Sequence, residues 1–101
     1  MIEHDVEQHL RRAVEAAGGK CFKFISPGNA GVPDRLIVMP GGVIAFCELK
    51  APGEHERPLQ VRCASLLRGL GCTVYSTVDS YDKADAVVAD MKVKGDKDGK
   101  V

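Results

Sequence analysis

The chain has no excess of either charge: fourteen Lys and Arg stand against fourteen Asp and Glu in 101 residues, a formal net charge of zero. Such a chain has no overall field to draw in a polyanion, so any affinity of that kind must come from a local patch. It has no Cys-x-x-Cys or comparable spacing. Cys21, Cys47, Cys63 and Cys72 each sit in an apolar segment, which argues against zinc ligation or disulfides and reads as buried free thiols in a reducing, intracellular setting. His4, His9 and His55 lie in polar segments without ligand spacing and read as surface residues. No apolar run approaches the roughly 18 residues that a bilayer span requires, and the N-terminus opens on a polar helical pattern, so neither membrane insertion nor export is expected. There are no internal repeats, and the length leaves room for one domain.

What is present is a regular alternation of helix and strand signals. Ile2, Val6, Leu10, Ala13, Val14 and Ala17 recur at helical spacing, and Gly18-Gly19 ends the pattern. Lys20 to Ser26 reads as a strand, and Pro27 to Gly31 as a flexible loop. Arg35–Met39 and Val43–Cys47 are two strands joined by the Pro40-Gly41-Gly42 turn. Both are apolar on both faces, which predicts cover on both sides of the sheet. Pro58 opens a second helix with a stripe of Leu59, Cys63, Leu66, Leu67 and Leu70, and Gly71 stops it. Cys72 to Val78 is a fourth strand, and Asp79-Ser80 caps a third helix through Ala84, Val87, Val88 and Met91. A strand-helix-strand link of this length implies a parallel, right-handed crossover. The order is therefore αβββαβα, a mixed four-stranded sheet flanked by helices. Residues 1–91 form the domain, and Lys92 to Val101 reads as a charged, disordered tail.

The chemistry concentrates on the central hairpin. With the turn centred on Gly41, Met39 faces Val43, and counting outward sets Asp34 opposite Glu48, with Lys50 on the same face. Two carboxylates about 5 Å apart repel by on the order of 3 kcal/mol at an effective dielectric near 20. A hard divalent cation offsets that repulsion, since Mg²⁺ takes one or two carboxylates together with waters and phosphate oxygens. Lys50 could then orient or deprotonate a water. The plain alternative is a structural salt bridge between Lys50 and Glu48 or Asp34. Lys20, Lys23, Arg35, Arg57 and Arg62 flank these residues in sequence, and backbone amides of the Ser26 to Gly31 loop could add phosphate contacts. Their plain alternative is solubilising charge. That alternative is strongest for Arg35, which points to the opposite face in this register.

The ordered set Ser26-Pro27-Gly28, Gly31-Val32-Pro33-Asp34-Arg35, Glu48-Leu49-Lys50 and Gln60 resembles the VRR-Nuc family of the restriction-endonuclease-like PD-(D/E)xK nuclease superfamily, over about residues 3 to 80. The resemblance implies that superfamily's αβββαβ core and a Mg²⁺- or Mn²⁺-dependent DNA endonuclease. It makes Asp34, Glu48 and the main-chain carbonyl of Leu49 metal ligands, and Lys50 the residue that positions water or stabilises developing charge. Gln60 becomes an orienting residue, whose plain alternative is an exposed helix position. The acidic residue of helix one is taken as Glu7, on the border of the apolar stripe, with Glu3 as the alternative. The resemblance further implies a stand-alone, virus-type or bacterial homodimer acting on four-way (Holliday) junctions, in the host cytoplasm if viral. The alternatives are a flap or single-strand nuclease, or a catalytically silent nucleic-acid-binding module with the same fold.

Overall fold

The computed structural model describes residues 1–98, with the elements α1 (Glu3–Ala16), β1 (Lys20–Lys23), β2 (Arg35–Met39), β3 (Val43–Leu49), α2 (Pro58–Gly69), β4 (Val74–Val78) and α3 (Tyr81–Asp98). The order is αβββαβα, as the periodicities predict. The sheet runs β1-β2-β3-β4, antiparallel through the first three strands and parallel between β3 and β4. The hairpin register is the expected one, with Met39 opposite Val43 and Arg35 opposite Cys47.

Glycines set both helix ends where sequence placed them. After α1, Gly18 adopts a φ of 87°, Gly18 N–H donates to the Glu15 carbonyl and Gly19 N–H to the Val14 carbonyl. After α2, Gly71 at a φ of 95° repeats the arrangement, with Cys72 N–H donating to the Leu67 carbonyl. Both are six-to-one closures that need a left-handed residue, which glycine supplies without Cβ strain. Because Cys72 is spent on this cap, β4 begins at Val74 instead of Cys72.

The core lies between one face of the sheet and the α1–α3 pair. Ile37, Met39, Val43, Ala45 and Cys47 are buried there beneath Val6, Leu10 and Val14 of α1 and Ala84, Val87, Val88 and Met91 of α3. The His9 ring stacks on Tyr81 at 4.3 Å and meets Asp85 at 2.8 Å, tying the two helices together at the surface.

Other expectations need correction too, beginning with β1, which ends at Lys23 instead of Ser26. Helix α3 does not end at Met91 but runs on to Asp98, through most of the segment read as a tail. A Cβ on Gly95 would come within 3.3 Å of the Pro40 carbonyl, so glycine here lets the helix close over the hairpin turn. Residues 99–101 of that segment lie outside the described residues. The stripe of α2 is also turned away from the core: α2 buries Gln60 and Ala64, while Leu59, Leu66 and Leu70 are exposed. Finally, the second face of the sheet is not fully covered, because Phe22 and Ile44 remain about half exposed on it.

The two outer strands differ. β1 is four residues long with a lysine at each end. On β4, Arg68 Nη2 donates to the Val74 carbonyl at 2.8 Å and Ser76 Oγ at 3.0 Å, and Lys83 Nζ reaches the Thr77 carbonyl.

Candidate active site

Asp34 and Glu48 meet where β2 begins and β3 ends. Asp34 Oδ1 accepts the Leu49 N–H at 3.1 Å, and its carbonyl accepts the Phe24 N–H, so its backbone and side chain are tied to both neighbouring strands. Glu48 is 4% exposed, beside a bulge at which β4 spends an extra residue: Cys47 pairs with Tyr75, but Leu49 with Val78. Within that bulge Thr77 takes a φ of 54°, unusual for a β-branched residue, and its hydroxyl donates to Glu56 at 2.9 Å. The bulge re-aims the end of β3 while Thr77 anchors the connection that leads into α2.

Gln60 is the second support. As the third residue of α2 it accepts the Arg57 N–H through Oε1 at 2.8 Å, which caps the helix. That bond fixes the amide, so Nε2 faces Glu48 and donates to Oε1 at 2.6 Å. The plain alternative of an exposed helix residue is therefore overturned: Gln60 is buried and holds a buried carboxylate. Burial raises the proton affinity of Glu48, and hydrogen bonding and repulsion from Asp34 raise it further, while Lys50 opposes both; its pKa is pushed from 4.5 up to about 8. A site of this kind favours a proton or a cation between the carboxylates.

Lys50 is half-buried, and its charge acts on Glu48; among the described residues its ammonium has no ion-pair partner. The structural salt bridge weighed as its plain alternative does not form. Arg35 departs from its expected isolation on the other face: its guanidinium turns back to the Asp34 carbonyl at 2.8 Å and approaches the Asp34 carboxylate at 3.5 Å. Sequence spacing gives the direction of Cβ but not the reach of a long side chain.

Glu7 is half-buried on α1, bracketed by Arg11 at 3.5 Å and His4 at 3.7 Å. Its charge is felt at Cys21, together with those of Arg35 and Asp34, and burial pushes that thiol up to about 11. Among the described residues no three His, Cys, Asp or Glu side chains gather, so the structure unites Asp34 and Glu48 but does not bring Glu7 into a three-acid cluster. Glu3 is exposed at the start of the helix.

The loop before Asp34 packs tightly on α2: a Cβ on Gly31 would lie 2.7 Å from the Leu59 carbonyl. Between them opens a cleft of about 320 Å³ lined by Arg57, Arg62 and Gln60 and by no acidic residue. Neither arginine has an ion-pair partner among the described residues. Lys20, by contrast, is paired with Glu15. A neutral chain thus carries uncompensated cations beside its carboxylate pair.

No family model matches the chain. In sequence it is 45% identical over 87 residues, 86% of this chain and 92% of the other, to "Putative nuclease p44" of Acyrthosiphon pisum secondary endosymbiont phage 1. In structure it is similar to a solved "VRR_NUC domain", with a TM-score of 0.78 and 31% identity over 86% of this chain and 94% of that one. Fold, carboxylate pair and both likenesses agree, and the chain belongs to the VRR-Nuc family, with its restriction-endonuclease-like α/β fold.

Proposed function

We propose that the chain is a divalent-metal-dependent endonuclease that hydrolyses phosphodiester bonds in branched DNA, four-way junctions above all, as a homodimer in a reducing, intracellular compartment. The observation that carries this reading is the Asp34–Glu48 pair, held by Gln60 with Lys50 alongside. Its donor set fits a hard cation: two carboxylates near enough for one to raise the proton affinity of the other, with Asp34 open on one side for waters and phosphate oxygens. Asp34, Glu48 and the Leu49 carbonyl would hold Mg²⁺ or Mn²⁺, which when bound polarises a phosphoryl oxygen and lowers the pKa of water.

The chain's own groups have separate tasks. Gln60 keeps Glu48 aimed, because its amide cannot flip without losing the Arg57 N–H. Lys50, whose ammonium has no ion-pair partner among the described residues, orients the attacking water and meets the negative charge that develops on the phosphoryl oxygens. Arg57 and Arg62 grip flanking phosphates, and Glu7 of α1, outside the Asp34–Glu48 pair, would act on the site only through a bound water. Four free cysteines are compatible with a reducing compartment, and no helix of the described residues is long and apolar enough to cross a membrane.

A two-fold symmetric junction offers two equivalent strands to a two-fold pair of sites, and the second contact becomes intramolecular, which raises avidity by on the order of 100-fold or more. Labelled four-way junctions, flaps, single strands and matched duplex, each incubated with and without Mg²⁺, test the proposal. Paired incisions on opposite arms of the junction, dependent on the ion and sparing duplex, are expected. Preferred cutting of flaps or single strands would replace the junction reading, and no cutting of any substrate would leave a binding module.

A further inference from the structure

Among the described residues, Thr77 is the one residue besides glycines that takes a positive φ, and it does so inside a strand. A β-branched side chain is crowded there, so the conformation persists only where surrounding contacts over-determine it, and such residues gather at functional sites. Side chain and main chain of Thr77 are both engaged. Its hydroxyl donates to Glu56 Oε1 at 2.9 Å, its carbonyl accepts Lys83 Nζ at 3.5 Å, and Lys83 is itself held by Asp79 at 2.9 Å.

This conformation changes the register of β4. Regular pairing beyond Cys47 and Tyr75 would set Leu49 beside Thr77 and aim the hydroxyl at the core face that Leu49 lines. The extra residue puts Val78 there instead, 2% exposed, and Thr77 turns to the loop between β3 and α2. The Val78 carbonyl then accepts the Lys50 N–H at 3.0 Å, one residue past the end of β3. Lys50 leads into that same loop, in which Ala51 N–H donates to Glu54 Oε1 at 2.9 Å and Glu54 N–H to the Ala51 carbonyl at 3.0 Å. Glu56 fastens the far end of the loop back to Thr77. The bulge therefore grips the chain at Lys50 and again six residues on.

We infer that Thr77, clamped by Glu56, is a positioning residue for Lys50: the bulge fixes the backbone from which the ammonium reaches the reacting phosphoryl group. The inference rests on the proposed function for the task of Lys50. It goes further by assigning Thr77 and Glu56, which belong neither to the carboxylate pair nor to the cationic cleft. The Lys50 ammonium has no ion-pair partner among the described residues, so no opposite charge holds it in place if its backbone shifts.

Single-turnover cleavage, DNA affinity and hydrogen exchange at the Lys50 amide of the DNA-free protein, measured on one set of variants, test the assignment. Thr77→Val should lower the rate by on the order of 10- to 100-fold, the scale of a misplacement of about 1 Å, while affinity stays within about twofold. Thr77→Ser, which returns the hydroxyl, should recover most of the rate. Glu56→Ala should reproduce Thr77→Val, and the double variant should be no slower than either alone. In a Lys50→Ala background, adding Thr77→Val should change the residual rate by less than about twofold. Exchange at the Lys50 amide should quicken in Thr77→Val and Glu56→Ala alike, so either variant serves if the other fails to fold. A wild-type rate in both variants, losses that multiply in the Lys50→Ala background, or unchanged exchange would overturn the inference. A wild type that cuts no DNA would refute the proposed function, and exchange alone would then decide whether Thr77 fixes Lys50.

Discussion

Replacing Glu48 by glutamine in metal-free protein should raise stability at pH 8 and leave it unchanged at pH 5. The folded chain holds the Glu48 proton up to about pH 8, against 4.5 for an unperturbed carboxyl, because burial and then Asp34 disfavour the charge. A raised folded-state pKa means that the stability this group contributes is fully present below pH 4.5 and is lost as pH climbs through about 8. At 1.36 kcal/mol per pH unit, the loss between pH 5 and 8 is on the order of 3 kcal/mol. Coulomb repulsion of two carboxylates about 5 Å apart at an effective dielectric near 20 gives roughly the same figure. The substitution keeps the Gln60 contact, since an amide oxygen accepts as a carboxylate oxygen does, and its NH₂ can donate to Asp34. For a domain of this size ~3 kcal/mol moves Tm by roughly 10–20 °C. Thermal melts of both proteins from pH 5 to 8 in chelated buffer should therefore diverge with pH. Millimolar Mg²⁺ should restore the wild type at pH 8 and act less on Glu48→Gln. Parallel melting curves across the pH range, or a variant that is less stable at pH 8, would refute the assignment of an electrostatically opposed pair.

Other substitutions separate the remaining roles. Lys50→Ala should leave DNA affinity within about twofold but lower the single-turnover rate by on the order of 100-fold or more, as expected of a group that acts on the transition state; equal losses in both would make it a binding residue. Arg62→Ala should weaken binding of all DNA sequences alike and reduce the slope of log affinity against log salt by about 1, read from titrations at several salt concentrations. Gly31→Ala places a methyl 2.7 Å from the Leu59 carbonyl at a φ of 87°, so it should cost about 1–3 kcal/mol in denaturant melts and lower activity through the displaced Asp34 loop. Asp34→Asn should abolish cleavage while the circular dichroism spectrum stays that of the wild type, because the amide oxygen still accepts the Leu49 N–H.

Much of this architecture is readable from residue order alone. Pro40-Gly41-Gly42 fixes the hairpin register, and the register brings Asp34 to Glu48. The turn glycines after α1 and α2 end both helices as their positions require. What escapes the sequence is set by contacts between distant elements. Gln60 must reach Glu48, and this rotates α2 so that its leucine stripe points outward, although helical periodicity alone assigns that stripe to the core. Strands apolar on both faces read as doubly covered, yet Phe22 and Ile44 stay about half exposed, because periodicity gives the face a side chain points to and not what packs on it. Lys92 to Asp96 is polar enough to read as a tail, and contacts a sequence does not display, such as the approach of Gly95 to Pro40, accompany its continuation as helix.

The two outer strands decide how this chain behaves when crowded. An exposed strand invites the strand of a neighbour, and from that contact fibrils and swapped species grow. Here the outward carbonyls of Val74 and Thr77 are occupied by the long cations Arg68 and Lys83, and β1 is short and bracketed by Lys20 and Lys23. Hydrogen-bonded lengthening of the sheet is thus disfavoured at both ends, by occupied acceptors on β4 and by a short strand between two charges on β1.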